Sequence, residues 1–196
     1  FRGVVTLRQA LEQSLNVVAV RLARQVGPEK IVENAEKMGI STLVKSGSVN
    51  DMTLGMSLGG LTRGVTPLEL AEAYGVMANQ GARAPSMAIL KVVDRNGKVL
   101  EDNRPQSTQV VDSRAVSVLV DMMRGVISRG TGTGAGIGRP AAGKTGTTND
   151  YKDAWFAGFT PNLAAVVWLG ADDNRSLGGI TGGENPASIW RQFMKA

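Results

Sequence analysis

The sequence predicts an α+β fold in which helices lead and an antiparallel sheet closes the chain. Three observations carry that expectation. Helix-start signals dominate the first half, two late apolar runs are joined by the short turn Thr160-Pro161-Asn162, and strands and helices never alternate as a parallel βαβ series requires. The 196 residues suit a single domain, read here over 1–196, and a 42% hydrophobic content can fill a core.

The elements run in order along the chain. Thr6 and Gln9 form a capping box. Leu7, Leu11, Leu15, Val18, Leu22 and Val26 then recur at helical spacing, which predicts one continuous helix as far as Gly27. Pro28 starts a second helix that ends near Gly39. Ser41–Asp51 reads as a polar surface loop. Thr66-Pro67-Leu68-Glu69 places a cap, a first-turn proline and a reciprocating glutamate, predicting a helix to about Asn79 with Gly81 as its left-handed terminator. Ala88–Val93 and Lys98–Leu100 flank Asp94-Arg95-Asn96-Gly97 as a hairpin. Asp112 or Ser113 caps a fourth helix with Val116, Leu119, Val120, Met123 and Ile127 turned inward. After the glycine-rich stretch Gly130–Gly138 come three strands, Pro140–Thr147, Ala154–Thr160 and Leu163–Ala171. Asn185-Pro186 caps a last helix carrying Trp190 and Phe193, and Trp155, Phe156 and Phe159 read as core.

Composition narrows the chemistry. With no Cys and no His, thiol nucleophiles, imidazole bases and Cys- or His-based zinc sites are excluded, so any base is a lysine or a carboxylate. The net charge of +5 (22 − 17) is scattered, and 5% aromatics cannot build a base-stacking platform, so nucleic acid is not an expected partner. Leu163–Leu169, the longest apolar run, is far short of a membrane span. Phe1 to Thr6 lack the pattern of a signal peptide and look like the interior of a domain. Asp172-Asp173 has no companion carboxylates and reads as a strand-end turn, not a metal site.

Two motifs compete for Lys144. Gly138-Arg139-Pro140-Ala141-Ala142-Gly143-Lys144-Thr145 fits GxxxxGK[ST], the phosphate loop of NTPases. That loop needs a strand before it and a helix after it, whose N-terminus holds the phosphates, and neither is signalled here. Lys144-Thr145-Gly146-Thr147 is also one of the three signatures of serine enzymes that react with penicillin, and a second, Ser-x-Asn, stands upstream as Ser14-Leu15-Asn16.

The surrounding residues resemble the bifunctional (class A) penicillin-binding proteins over nearly the whole chain. Gly3 to Leu22, Gly64 to Ala71, Ala142 to Phe159 and Gly182 to Met194 carry the likeness, with Gly143-Lys144-Thr145-Gly146-Thr147-Thr148-Asn149-Asp150-Tyr151-Lys152-Asp153-Ala154-Trp155-Phe156 closest of all. Asn185-Pro186-Ala187-Ser188 departs from the family's usual small-residue-then-proline order, which touches a cap and not the site. The resemblance implies a penicillin-binding, serine β-lactamase-like fold and acyl transfer through a serine ester. It implies D-Ala-D-Ala stem peptides and β-lactams as ligands, no cofactor, and work at the outer face of the bacterial cytoplasmic membrane. In those terms Lys144 supplies charge beside the substrate carboxylate and the proton path. Thr145 and Thr147 offer hydroxyls to that carboxylate, and the Thr147 N–H forms half of an oxyanion hole. Gly146 admits a substrate strand, Ser14 relays a proton, and Asn16 holds a substrate amide. A noncatalytic relative that binds peptidoglycan or penicillin, or a scaffold half, stays open beside this reading.

The third family signature, Ser-x-x-Lys, is missing. The residues three before Lys30, Lys37, Lys45, Lys91, Lys98, Lys144, Lys152 and Lys195 are Gly27, Asn34, Thr42, Ala88, Arg95, Ala141, Asn149 and Gln192. Thr42-Leu43-Val44-Lys45 comes nearest but stands after Ser14, against the family order, and Lys45 reads as a solvated charge. The chain is therefore expected to be the later part of a transpeptidase domain, lacking the nucleophile helix and the first two strands of a five-stranded sheet. A second chain or segment is expected to supply the serine and to cover the Leu163–Ala171 edge beside Val167 and Leu169.

Overall fold

A computed structural model describes Gly3–Ala196; Phe1 and Arg2, read above as part of a domain interior, lie outside the described residues. Among the described residues, six α-helices and seven strands occur in the order α1 (Leu7–Glu12), α2 (Asn16–Val26), α3 (Pro28–Lys37), α4 (Pro67–Ala78), β1 (Ala82–Arg83), β2 (Lys91–Val93), β3 (Val99–Asp102), β4 (Thr108–Gln109), α5 (Ser113–Arg129), β5 (Ala142–Thr147), β6 (Asp153–Thr160), β7 (Leu163–Gly170) and α6 (Asn185–Lys195). Strands β5, β6 and β7 form one antiparallel sheet in that spatial order, with Lys144 opposite Ala157 and Trp155 opposite Trp168. The α+β expectation holds.

The single helix expected over Leu7–Val26 is two. The Thr6–Gln9 capping box forms, but α1 stops after Glu12 and Ser14 takes a left-handed backbone (φ 52°). Ser14 N–H then donates to Leu11 O and Leu15 N–H to Ala10 O, the paired bonds of a Schellman terminus, and Leu15 becomes the N-cap of α2. Helix α3 ends the same way on Gly39. At the end of α4 the chain turns left-handed already at Gln80, one residue before Gly81, whose N–H returns to Val76 O. Asp112 caps α5, accepting from the N–H groups of Arg114 and Ala115. The N-cap of α6 is Glu184, one residue before the expected Asn185-Pro186 pair.

The loops are more structured than their composition predicts. The 41–51 loop is anchored by Asp51, which is 1% exposed and accepts from Val44 N–H and from the Thr62 N–H and hydroxyl. A 3-10 turn forms over Leu54–Leu58, and short strands β1 and β4 pair. The Asp94–Gly97 hairpin turn forms between β2 and β3, Asp94 N–H donating to Lys98 O. Asn174 N–H donates to Ala171 O, closing the expected turn around Asp172-Asp173.

The alternation of β6 decides where the core sits. Phe156 and Gly158 face α6, where Trp190 packs on both and Phe156–Trp190 ring centroids lie 5.2 Å apart. Phe159, on the other face, meets Tyr74 of α4 edge-on at 6.2 Å and Met123 of α5. Trp155 shares that second face but lies beyond the helices' cover. It is half-buried and lines a groove, so the reading of Trp155 as core is corrected, while Phe156 and Phe159 are core.

Candidate active site

Strand β5 is the outer strand of its sheet, and its residues divide between the two faces. Lys144 points to the face shared by Ala157 and Trp155, across which α1 and α2 present the turn at Ser14. The Lys144 ammonium donates to Ser14 Oγ at 2.8 Å and to its neighbour's carbonyl, Thr145 O, at 2.9 Å. Ser14 reaches that distance because the Schellman terminus turns the chain back at this residue; a continuous helix would carry it past. Burial pulls the Lys144 pKa down from 10.5 to about 8.

The threonines are held from a different side. Thr145 Oγ1 lies 2.7 Å from Thr131 Oγ1 in the loop after α5, and Thr147 Oγ1 accepts from Gly182 N–H at 3.1 Å. A hydroxyl that accepts from a backbone N–H keeps its own proton for an anionic ligand. The backbone lying against Gly146 is the chain's own Gly182: a Cβ added at Gly182 would stand 2.5 Å from Gly146 O. Gly146 is itself tight, since its own Cβ would meet Trp155 Cβ at 3.2 Å.

All six predicted site residues line one groove of about 920 Å³. Ser14 and Asn16 come from the α1–α2 turn and Lys144, Thr145, Gly146 and Thr147 from β5. Leu7, Leu11, Val18, Leu22, Leu70 and Tyr74 add an apolar wall, and burial pushes the Tyr74 phenol up, keeping it neutral. Asn16 is the first residue of α2. Thr131 escapes sequence reasoning, because a threonine inside the Gly130–Gly138 stretch carries no signal of its partner 14 residues on.

The phosphate-loop reading does not survive this geometry. Lys144 sits within a strand paired to β6, and β5 leads into a 3-10 turn over Asn149–Tyr151 and then β6, so the α-helix that a phosphate loop needs does not follow it among the described residues. Lys45 is an exposed charge paired with Glu36, far from the Ser-x-x-Lys role. Among the described residues, no cluster of His, Cys, Asp or Glu could hold a metal ion, and no helix is long and apolar enough to cross a membrane.

The penicillin binding protein transpeptidase domain family matches residues 1–195. The chain belongs to that family. It is 43% identical to penicillin-binding protein 1A of Aquifex aeolicus over 98% of this chain and 26% of that protein. It is 38% identical to penicillin-binding protein 4 of Bacillus subtilis over 99% of the chain and 31% of that protein. Among solved structures, PonA1 of Mycobacterium tuberculosis in complex with penicillin V superposes with a TM-score of 0.85 at 29% identity, over 97% of this chain and 55% of the other. Penicillin-binding protein 1A of Haemophilus influenzae gives 0.85 at 26%, over 97% and 34%. The chain thus spans about a quarter to a third of the length of these curated relatives.

Proposed function

We propose that this chain carries the substrate-binding side of a peptidoglycan D,D-transpeptidase site. The observation that supports the reading best is the Lys144–Ser14 contact at a strand edge left unpaired among the described residues, with threonine hydroxyls flanking it on β5. A stem peptide ending in D-Ala-D-Ala adds to the outer edge of β5 as an extra strand, and its carboxylate meets Thr145, Thr147 and the Lys144 charge. Asn16 receives the peptide amide. A serine oxygen attacks the penultimate D-Ala carbonyl carbon as its proton passes to the lysine base of the same Ser-x-x-Lys segment, from which Ser14 relays it onward. The resulting oxyanion is held by two N–H groups, that of Thr147 among them. The C–N bond breaks as Ser14 passes a proton to the departing D-Ala amine, and an amine of a neighbouring stem then displaces the serine ester. A β-lactam takes the same path to the ester and stops there.

The attacking serine has no candidate within these 196 residues, since no Ser-x-x-Lys spacing exists. We place it on a segment outside this sequence, of the same or another chain, seated in the apolar groove against Leu7, Leu11 and Leu22 and reaching the outer edge of β7. Leu22 and Leu7 are 39% and 54% exposed without such a cover. The isolated 196 residues are then inactive, they are the later part of one transpeptidase domain, and the whole protein works at the outer face of the cytoplasmic membrane. Labelling with a fluorescent penicillin tests the reading. The whole protein should acquire a covalent, hydroxylamine-sensitive adduct and the isolated residues none. An adduct on the isolated residues would overturn the placement of the serine, and a whole protein that binds stem peptide without labelling would make it a noncatalytic binder.

A further inference from the structure

Glu12 stands two residues before Ser14 and has no part in the roles set out above, yet it is 5% exposed. Its carboxylate is gripped by the end of α5: Arg129 Nε donates to Oε2 at 3.0 Å and Nη2 to Oε1 at 2.5 Å, a bidentate pair. The chain clears room for it. A Cβ at Gly125 would overlap the Glu12 carboxylate, and one at Gly130 would overlap the Glu12 carbonyl oxygen. That same carbonyl accepts from Thr131 N–H at 3.0 Å, and Thr131 Oγ1 is the group beside Thr145 Oγ1. Glu12 is also the last residue of α1, so the turn that delivers Ser14 to Lys144 starts from it.

One residue therefore joins three pieces of the site. Its side chain holds α5, its carbonyl holds the loop that supports Thr145, and its helix end holds Ser14. Stability alone is a poor reason for this pair, because the Glu12 carboxylate is desolvated while the exposed Arg129 is screened by solvent. What a bidentate pair supplies is a fixed distance and angle.

We propose that Glu12 is a positioning residue for acyl transfer, its carboxylate clamped by Arg129 so that the Ser14 turn keeps its register against the Thr131–Thr145 pair. This rests on the function proposed above. The exposed Arg129 and the buried, small Gly125 give two independent handles on the same clamp.

The test uses the whole protein and stopped-flow acylation by a fluorescent penicillin, which separates the limiting rate from the binding constant. Glu12→Gln turns an amide N–H₂ toward the guanidinium and should lower the limiting rate by about tenfold or more, with binding changed less than about threefold. Gly125→Ala should reproduce the loss by displacing the carboxylate. Arg129→Lys, at an exposed side chain, breaks the bidentate grip without touching the core and keeps the assay alive should either variant fail to fold. In a Ser14→Ala background, Glu12→Gln should slow the reaction by less than about twofold further, since it acts through Ser14. Amide exchange gives a readout free of activity: Ser14 and Leu15 N–H should exchange about tenfold faster in Glu12→Gln while β6 is unchanged. Wild-type rates in both variants, full additivity with Ser14→Ala, or unchanged exchange at Ser14 and Leu15 would each overturn the assignment. A wild-type protein that no penicillin acylates refutes the transpeptidase reading instead, and the exchange experiment still decides whether Glu12 holds the turn.

Discussion

Lys144 and Ser14 stand 130 residues apart in sequence and 2.8 Å apart in space, the ammonium donating to the hydroxyl. Lys144 reaches this point from the middle of an edge strand and Ser14 from a helix terminus, so two rigid elements meet through this polar contact. Burial lets the lysine lose its proton at mildly alkaline pH.

That burial sets a pH dependence. The charged lysine attracts the donor carboxylate, and the charged fraction falls as pH rises through about 8. The second-order rate of penicillin acylation of the whole protein should decline on the alkaline side with its midpoint there, and Lys144→Arg should move that limb above the measurable range. Stability has the opposite slope. Between about 8 and the ordinary value of 10.5 the unfolded chain binds more protons than the folded one, so this group makes stability rise with pH in that window. Urea unfolding at pH 8 and pH 10, compared with Lys144→Met, reads the difference.

Thr131→Val keeps the shape of a β-branched side chain and removes the oxygen beside Thr145. Thr145 Oγ1 then loses a partner worth about 1 kcal/mol. Penicillin binding to the whole protein should weaken about five- to tenfold with the melting temperature nearly unchanged. Unaltered binding would show that the Thr131–Thr145 pair does not orient the ligand hydroxyl.

The sheet's α6 face hangs on Trp190, which is fully buried, packs on Phe156 and donates from Nε1 to Ala165 O at 3.1 Å. Trp190→Ala should cost about 3–5 kcal/mol in urea unfolding. Trp190→Phe keeps most of the volume but removes the Nε1–H donor to Ala165 O, so its cost should be smaller, about 1–3 kcal/mol.

Acid should loosen the start of α4. Burial alone would raise the pKa of Glu69, but hydrogen bonds from the Ser41 hydroxyl and N–H and from Thr66 outweigh it and hold the carboxyl down from 4.5 to about 2. A depressed carboxylate contributes stability that is complete above 4.5 and lost as pH falls toward 2. Glu69→Gln should therefore be less stable than wild type by about 1–3 kcal/mol at pH 6, and the gap should narrow as pH falls below 4.5 and close only below about pH 2.

Where the sequence and the fold agree, a local signal carries the information. The Thr66–Glu69 capping box, the Asp112 cap and the Asn96-Gly97 turn each involve residues within a few positions, and each forms. The two misread helix ends share one cause. Ser14 and Gln80 occupy left-handed positions that glycine usually marks, and the apolar spacing of Leu11, Leu15 and Val18 runs through the break undisturbed. Trp155 is misassigned for a different reason: alternation along β6 says which face it takes, but only the placement of α4 and α5 says where that face stops being covered. The site motifs are readable because they are short and contiguous. Thr131, Glu12 and Arg129 are not, because their partners lie on other elements.

The left-handed backbone at Ser14 makes that position unequal to the usual substitutions. Alanine removes the hydroxyl but leaves a Cβ on a strained residue, threonine keeps a hydroxyl but adds a branch that this backbone disfavours, and glycine removes the hydroxyl while relieving the strain. A chemically conservative exchange to threonine is thus the least conservative for the chain path. Of the small residues, only serine offers a hydroxyl here at modest conformational expense, so drift at this position is channelled by backbone geometry as well as by chemistry.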